Sequence, residues 1–435
     1  MAAVITTASD TARIQRRTLI VLMLSVGPAG MGMAGGFSAT TLAAEDITNN
    51  DGLATLAATM ISIGGAVAAV PLARFMASNG RRPGLRIGWT IAGIGSVAAF
   101  VAVLTDLYPL LVAGSFSIGV GNGTNLAARY AAADLAPPDR RARTIGLLVW
   151  ASSIGSVLGP TVALGPTGWF AEQVYLPRLS GPYLMGALVF AVAGLVVHTK
   201  LRPDPLILAT GQSGPAESPP ALVERRNLDA KPKLVDSFRA IARHQTALIA
   251  VGAMAVGQAV MVAVMTVTPL HMDDGDHGTQ IIGLVISLHI VGMFFFAPVV
   301  GWFVDRLPTE AMVAAAGVIL FVGGELASHT EPADSLGVFV GLFLIGLGWS
   351  FAMIAGSSLL TGAFPAHERA NVQGAADFTM VASGAVASLA SGVIVEASSF
   401  HSLSHWAGVA ALSLVAAALY PLVTNSRRRH SQTVS

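Results

Sequence analysis

Twelve stretches of about 20 residues, each nearly free of charge, recur along this chain of 435 residues: roughly 18–42, 54–76, 86–105, 108–132, 143–166, 181–199, 246–269, 280–303, 311–328, 336–361, 371–395 and 404–424. An α-helix rises about 1.5 Å per residue, so ~20 residues cross the ~30 Å hydrocarbon core of a bilayer. In lipid every backbone N–H and C=O must find its partner within the segment, which leaves the helix as the spanning form for such runs. Only 11% of the residues are charged, against roughly a quarter in soluble domains. The 47 glycines suit helices whose backbones approach closely in lipid. The expected fold class is therefore an all-α membrane protein with twelve transmembrane helices. The first segment follows "RIQRR" and precedes "TLAAED", in the manner of a signal peptide. Its apolar run exceeds the ~7–15 residues of such a leader, so it is expected to remain as a helix. The absence of cysteine excludes disulfides and thiolate-held metals.

The cationic residues all but choose one side. With both termini cytoplasmic, 23 of the 25 lysines and arginines fall in cytoplasmic turns, tails or the central linker; Arg129 lies within a span and Arg178 on the opposite side. Glu45, Asp46, Asp51, Asp106, Glu172, Asp273, Asp274, Asp276, Glu331 and Asp334 mark the outer side. Short loops rich in Lys and Arg stay in the cytoplasm, so this pattern predicts an even number of spans in the cell membrane.

The stretch at 201–240 is rich in Pro, Gly, Ser and charge and reads as a linker. The expected organisation is a cytoplasmic tail over 1–17, a six-helix bundle over 18–200, a cytoplasmic linker over 201–243, a second six-helix bundle over 244–424 and a tail over 425–435. The halves echo each other. Ala73 and Ala77 align with Gly301 and Asp305 at a separation of 228; "IGVGN" at 118–122 matches "IGLGW" at 345–349 at 227; Gly146 meets Gly374 at 228. An even-span half repeated in this way keeps its orientation, so the repeats are parallel about an axis along the membrane normal.

On these features the chain resembles the major facilitator superfamily. That family's signature between spans two and three is Gly-x-x-x-Asp-Arg/Lys-x-Gly-Arg-Arg/Lys, and here it is split. The first half keeps Gly80-Arg81-Arg82 but has Ala73 and Ala77; the second keeps Gly301 and Asp305-Arg306 but lacks Gly-Arg-Arg. Span five carries Gly155-x-x-x-Gly159-Pro160, similar to the antiporter signature, and the span-four motif survives only as Gly119, with Ser115 and Ile118 where Arg and Gln stand in the family. The resemblance implies two pseudo-symmetric six-helix bundles, a central cavity lined by spans one, four, seven and ten, and a cytoplasmic gate of paired charges. The gate candidates are Arg81, Arg82, Asp134, Asp305 and Arg369: Arg81 or Arg82 with Asp134, and Asp305 with Arg369 or Arg306. A topology anchor without gating is the plainer alternative.

Polar residues at membrane depth are the functional candidates. Asn122, Asn125 and Arg129 share one stripe of span four, and Arg129 suits an oxyanion or a structural pair with Asp134 or Asp377. Gln258, His289, Trp349 and Met353 are the corresponding candidates in the second half. Trp349 is the repeat partner of Asn122, and an aromatic opposite an amide suits a flat, partly apolar compound. Asp377 is the first candidate for proton coupling and His289 the second, while spans one and four hold no mid-depth carboxylate. Glu325 reads as an interface residue. Gly155, Gly159 and Pro160 read as a packing face beside a kink. His401 and His405 have helical spacing with Glu396 nearby, but they read as a loop and a span start, so no metal site is expected.

A polytopic enzyme needs a cluster of His, Asp or Cys at one depth, and the ten histidines are scattered. A channel needs a polar ring or filter sequence, and no P-loop is present for ATP. A transporter of a small organic compound is expected, with no enzyme activity, no cofactor, no nucleic-acid partner, protons as the possible coupling ion, the lipid bilayer as surroundings and a monomeric state. Export against protons and uptake or facilitated passage of a neutral or anionic metabolite both stay open.

Overall fold

A computed structural model describes residues 8–212, 234–273, 279–331 and 336–433. The described residues contain no strand. The first four spans are α1 (Ala8–Thr48), α2 (Asp51–Asn79), α3 (Arg81–Thr105) and α4 (Tyr108–Ala133). Span five is α5 (Arg141–Val162), a five-residue π turn (Ala163–Thr167) and α6 (Gly168–Gln173); span six is α7 (Gly181–Lys200). Two short helices, α8 (Pro205–Gln212) and α9 (Leu234–Arg243), border residues 213–233, so most of the expected linker lies outside the described residues. Span seven is α10 (Gln245–Asp273). Span eight is α11 (Thr279–Ile290), a π turn (Val291–Phe295) and α12 (Ala297–Arg306). Then come α13 (Thr309–Ser328), α14 (Leu336–Ala363), α15 (Ala366–Ala397) and α16 (Phe400–Thr433), the last running through the expected C-terminal tail.

Among the described residues, eleven helical spans are long and apolar enough to cross a membrane. The twelfth expected span is α4. Its 26 residues reach about 39 Å, and Asn122, Asn125 and Arg129 are what lower its apolarity. The helices overrun the apolar segments because a helix does not end where the hydrocarbon does; α1 starts ten residues before the expected 18.

The repeat written in the sequence is present as contacts. A Cβ on Gly64 would overlap the Phe116 carbonyl, and one on Gly292 would overlap that of Phe343. Gly95 and Gly114 each face the other's carbonyl oxygen, as do Gly323 and Gly341. Residues 292 and 323 follow 64 and 95 by 228, and 343 and 341 follow 116 and 114 by 227. Equivalent helices thus touch backbone to backbone at equivalent glycines.

Two compact units result. One comprises 1–137, 151–243 and 364–378; the other comprises 138–150, 244–363 and 379–435. Each includes the opening segment of a span from the other half of the sequence: the start of α15 belongs with the first unit, and the start of α5 with the second.

Candidate functional site

The turn between α2 and α3 is built around Gly80, whose φ of 93° lies where glycine alone is at ease. A Cβ there would also meet the Asp204 carboxylate. That carboxylate explains the turn. Asp204 accepts from the backbone N–H groups of Arg81 (3.1 Å) and Arg82 (2.7 Å), the unpaired donors at the start of α3. It also accepts from Leu206 and Ile207 at the start of α8, so one acid caps two helices.

With its backbone fixed, Arg81 turns inward. Its Nε and Nη2 donate to the two carboxylate oxygens of Asp134 at 2.8 and 3.3 Å, and Nη2 donates to Gln373 Oε1 at 2.6 Å. One turn further along α15, Asp377 accepts from Arg129 Nη2 at 2.5 Å and from the Tyr130 hydroxyl at 3.3 Å. Arg129 lies 4.4 Å over the Tyr130 ring and also donates to the Leu126 carbonyl. The Arg81–Asp134 side chains are 1% and 0% exposed and the Arg129–Asp377 pair 2% and 5%. One dry ion pair, Arg129–Asp377, and the Arg81–Gln373 hydrogen bond therefore tie the start of α15 to α4 and α3, while Arg81–Asp134 joins α3 to the end of α4 and Ala73 of α2 packs against Gly374. Arg82, by contrast, is half-buried and offers the site only its backbone N–H.

In the second unit Asp305 sits at the pseudo-equivalent turn. Its oxygens accept from the N–H groups of Ala142 and Arg143, both at 2.8 Å, where α5 begins. The expected partners lie elsewhere: Arg369 Nε donates to the Phe364 carbonyl, and Arg306 stacks 4.1 Å over Trp302. Free amides at a helix N-terminus attract a carboxylate as a cation does, with no second side chain to order. Gly301 lies against Ala142 and Arg143, and Gly146 against the Ala297 carbonyl.

Among the mid-depth candidates, Asn125 accepts from the Ser152 hydroxyl at 3.1 Å, and half-buried Asn122 lies beside Gly65. In the second unit Trp349 Nε1 donates to Gln258 Oε1 at 2.7 Å, and Phe294 meets the indole edge-on at 5.6 Å. Met353 is buried one turn away beside Ser357. His289 is buried between α11 and α14, its Nδ1 2.8 Å from the Leu342 carbonyl. Gly155 and Gly159 press on α1 at Gly27, Met31 and Ala34, so they form a close-packing face. The α geometry of α5 gives way to the π turn three residues after Pro160. At the far end of the second unit, His401 and His405 both lie on α16, contrary to the loop expected for His401. His405 Nδ1 is 2.7 Å from Glu325 and His401 Nδ1 is 2.7 Å from the Ser328 carbonyl, joining α16 to α13. Among the described residues no group of three His, Asp or Glu has metal-holding geometry.

The sequence profile of the Major Facilitator Superfamily matches residues 20–387 and, separately, 274–434. The chain belongs to the major facilitator superfamily. An MFS-type transporter of Bacillus subtilis (strain 168), YdeG, is 33% identical over 416 residues, 96% of this chain and 93% of that one. The riboflavin transporter RfnT of Brucella anthropi is 23% identical over 415 residues, 94% and 95% of the two chains. The crystal structure of the human organic anion transporter MFSD10 superposes with a TM-score of 0.71 at 14% identity, covering 93% of this chain and 99% of that one. As a member of the superfamily the chain is a multi-pass secondary transporter and not an enzyme.

The superfamily's signature is physically divided between the turns. The Arg half works in the first unit and the Asp half in the second. Three residues of these sites carry no family motif. Gln373 lies four residues before Asp377, so helical spacing was its signal; Tyr130 follows Arg129 directly, and adjacency on a helix gives none. Asp204 lies in "RPDP", an N-cap pattern before an apolar run, but its reach to residues 122 and 123 positions away has no sequence signature.

Proposed function

We propose that this transporter exports a small organic compound across the cytoplasmic membrane in exchange for protons, working as a monomer by alternating access with both termini in the cytoplasm. The observation that carries this reading is the buried contact of Arg129, Tyr130 and Asp377. A carboxylate in a dry site keeps its charge only while a cation answers it. A proton delivered to Asp377 removes that charge and frees the Arg129 guanidinium, whose planar fork suits an oxyanion or carbonyl on the cargo. Proton and substrate then compete for one residue pair, which is what exchange requires.

Arg81, Asp134, Arg369 and Asp305 form the proposed cytoplasmic gate, holding the starts of α15 and α5 until the transporter opens to that side. Substrate contacts are assigned to Asn122 and Asn125 in the first unit and to Gln258, Trp349 and Met353 in the second. A ring stacked on Trp349 and hydrogen-bonded at its edges suits that set, and the likeness to a riboflavin transporter supports a flat, polar-edged cargo. His289 is the second proton candidate. The Lys and Arg distribution supports the orientation, and the span-five Gly-x-x-x-Gly-Pro supports export. A second reading is passage of a neutral or anionic metabolite without proton exchange. It draws on the completeness of the Arg129–Asp377 pair and the absence of another mid-depth acid in α1 and α4.

The test is flux in proteoliposomes under an imposed pH gradient, using flavins and other flat heteroaromatics as cargo. Exchange predicts that the gradient drives flux and that Asp377→Asn uncouples it. Flux that ignores the gradient and survives Asp377→Asn removes the antiport reading.

A further inference from the structure

A second site lies away from all of this, between α3 and α7. A cavity of about 530 Å³ opens between these helices, floored by Trp89 and Phe190, whose rings stack 6.0 Å apart. Small residues create it. On the same two helices Gly88, Gly95 and Gly186 lie so close to Thr124, Ser117 and Ser96 that a Cβ would collide. Gly93 and Gly194 are different: a Cβ would make only ordinary contacts, at 3.7 Å to Phe190 and 3.6 Å to Trp89. They are not needed for close approach; their missing side chains leave the groove open.

The groove is apolar along its length and basic at one end. From Arg86 to Val97 it follows α3 for twelve residues, eleven steps of about 1.5 Å or about 16 Å in all. Its walls are aliphatic and aromatic apart from Thr90 and the pair at the end, where Arg86 Nη1 lies 3.3 Å from His198 Nδ1. Arg86 is exposed, and the contact with His198 engages one of its five N–H donors. Lys200 follows in the same last turn of α7. A long apolar slot closed by a guanidinium with spare donors matches one ligand shape: an acyl chain ending in an anionic phosphate.

We propose that this groove binds one anionic phospholipid of the surrounding bilayer, its phosphate on Arg86 and one acyl chain along Gly93 and Gly194. The proposal is independent of cargo and of coupling. The experiment uses the purified full-length transporter in detergent, with native mass spectrometry and thermal unfolding after adding phosphatidylglycerol or phosphatidylcholine of matched chains. Phosphatidylglycerol is expected to remain bound and to raise the unfolding temperature more than phosphatidylcholine does. Arg86→Gln should weaken phosphatidylglycerol by about fivefold, and Gly93→Leu should lower retention of both lipids by filling the slot. Both variants leave the packed core untouched, and their unfolding temperatures without added lipid check that they fold. Equal effects of the two lipids with no response to Arg86→Gln would overturn the headgroup assignment. Unchanged retention in Gly93→Leu would overturn the groove itself.

Discussion

The two pseudo-equivalent turns, 73–86 in the first unit and 301–310 in the second, hold the start of a helix from the other half of the sequence by different chemistry. At the first, Arg81 reaches an acid at the end of α4 and the Gln373 amide of α15 in a dry interior, and Arg129 of α4 pairs with Asp377 beside it. In the second, half-buried Asp305 takes two backbone amides at the opening of α5. The small-residue contacts beneath are the same, with Ala73 on Gly374 and Gly301 on the first turn of α5. Shape is therefore shared while the electrostatic fastening is not. A buried ion pair is costly to open one partner at a time, whereas a cap exchanges readily with water. In a cycle that releases both segments, the α5 attachment is the lighter one.

The largest effect should come from splitting the deepest pair. Asp377→Asn or Arg129→Met leaves one buried charge unanswered and should cost about 3–5 kcal/mol of stability, read by thermal or denaturant unfolding in detergent. Replacing both, Arg129→Met with Asp377→Leu, should recover most of it, because two apolar side chains ask nothing of each other. Equal loss in the single and double variants would show that the pair is not the fastening.

Arg81 and Arg82 come next and should separate cleanly. Arg81→Ala abandons Asp134 and Gln373 in a dry site and should cost about 3 kcal/mol. Arg82→Ala keeps the backbone N–H that Asp204 uses, so its effect should stay within about 0.5 kcal/mol. Similar losses at both positions would make the turn a general patch of positive charge rather than a built contact.

That separation marks what the residues alone could convey. Twelve spans and a 228-residue echo were legible because bilayer thickness sets span length and because equivalent glycines must recur where equivalent helices touch. Arg81 with Asp134 was readable as two charges at one helix-end level, and Arg129 with Asp377 as one of two possible pairs. The choice of Arg81 over Arg82 was not readable, since it depends on which of two adjacent side chains the first turn of α3 aims inward, while Asp204 holds the backbone of both. Asp305 was expected beside Arg369 or Arg306, because sequence displays charged side chains and hides free backbone donors. The π turn at Val291–Phe295 contains no proline, but Pro298 follows in the first turn of α12 and has no N–H for the Phe294 carbonyl four residues before it.

A smaller effect belongs to the second turn. Asp305→Ala should cost about 1–2 kcal/mol through the two orphaned amides, and Asp305→Asn about half of that, because its one amide oxygen still caps one of the two N–H groups. A cost for Asp305→Asn as large as for Ala would mean that charge rather than capping does the holding.

The smallest effect concerns the residue the first turn lacks. Restoring the family's acid by Ala77→Asp looks like a repair, yet register argues against a gain. The 228-residue offset carries Ala142 and Arg143 onto Ala370 and Asn371. The first pair opens a helix that begins at Arg141, whereas the second lies four residues inside one that begins at Ala366. Amides at those depths already donate within α15, so a carboxylate at 77 has no free N–H to meet. Ala77→Asp should therefore leave stability unchanged or lower it by up to about 1 kcal/mol. A gain would mean that the start of α15 frays in the membrane and leaves those amides free, and the contrast between the two fastenings would then reduce to one missing carboxylate.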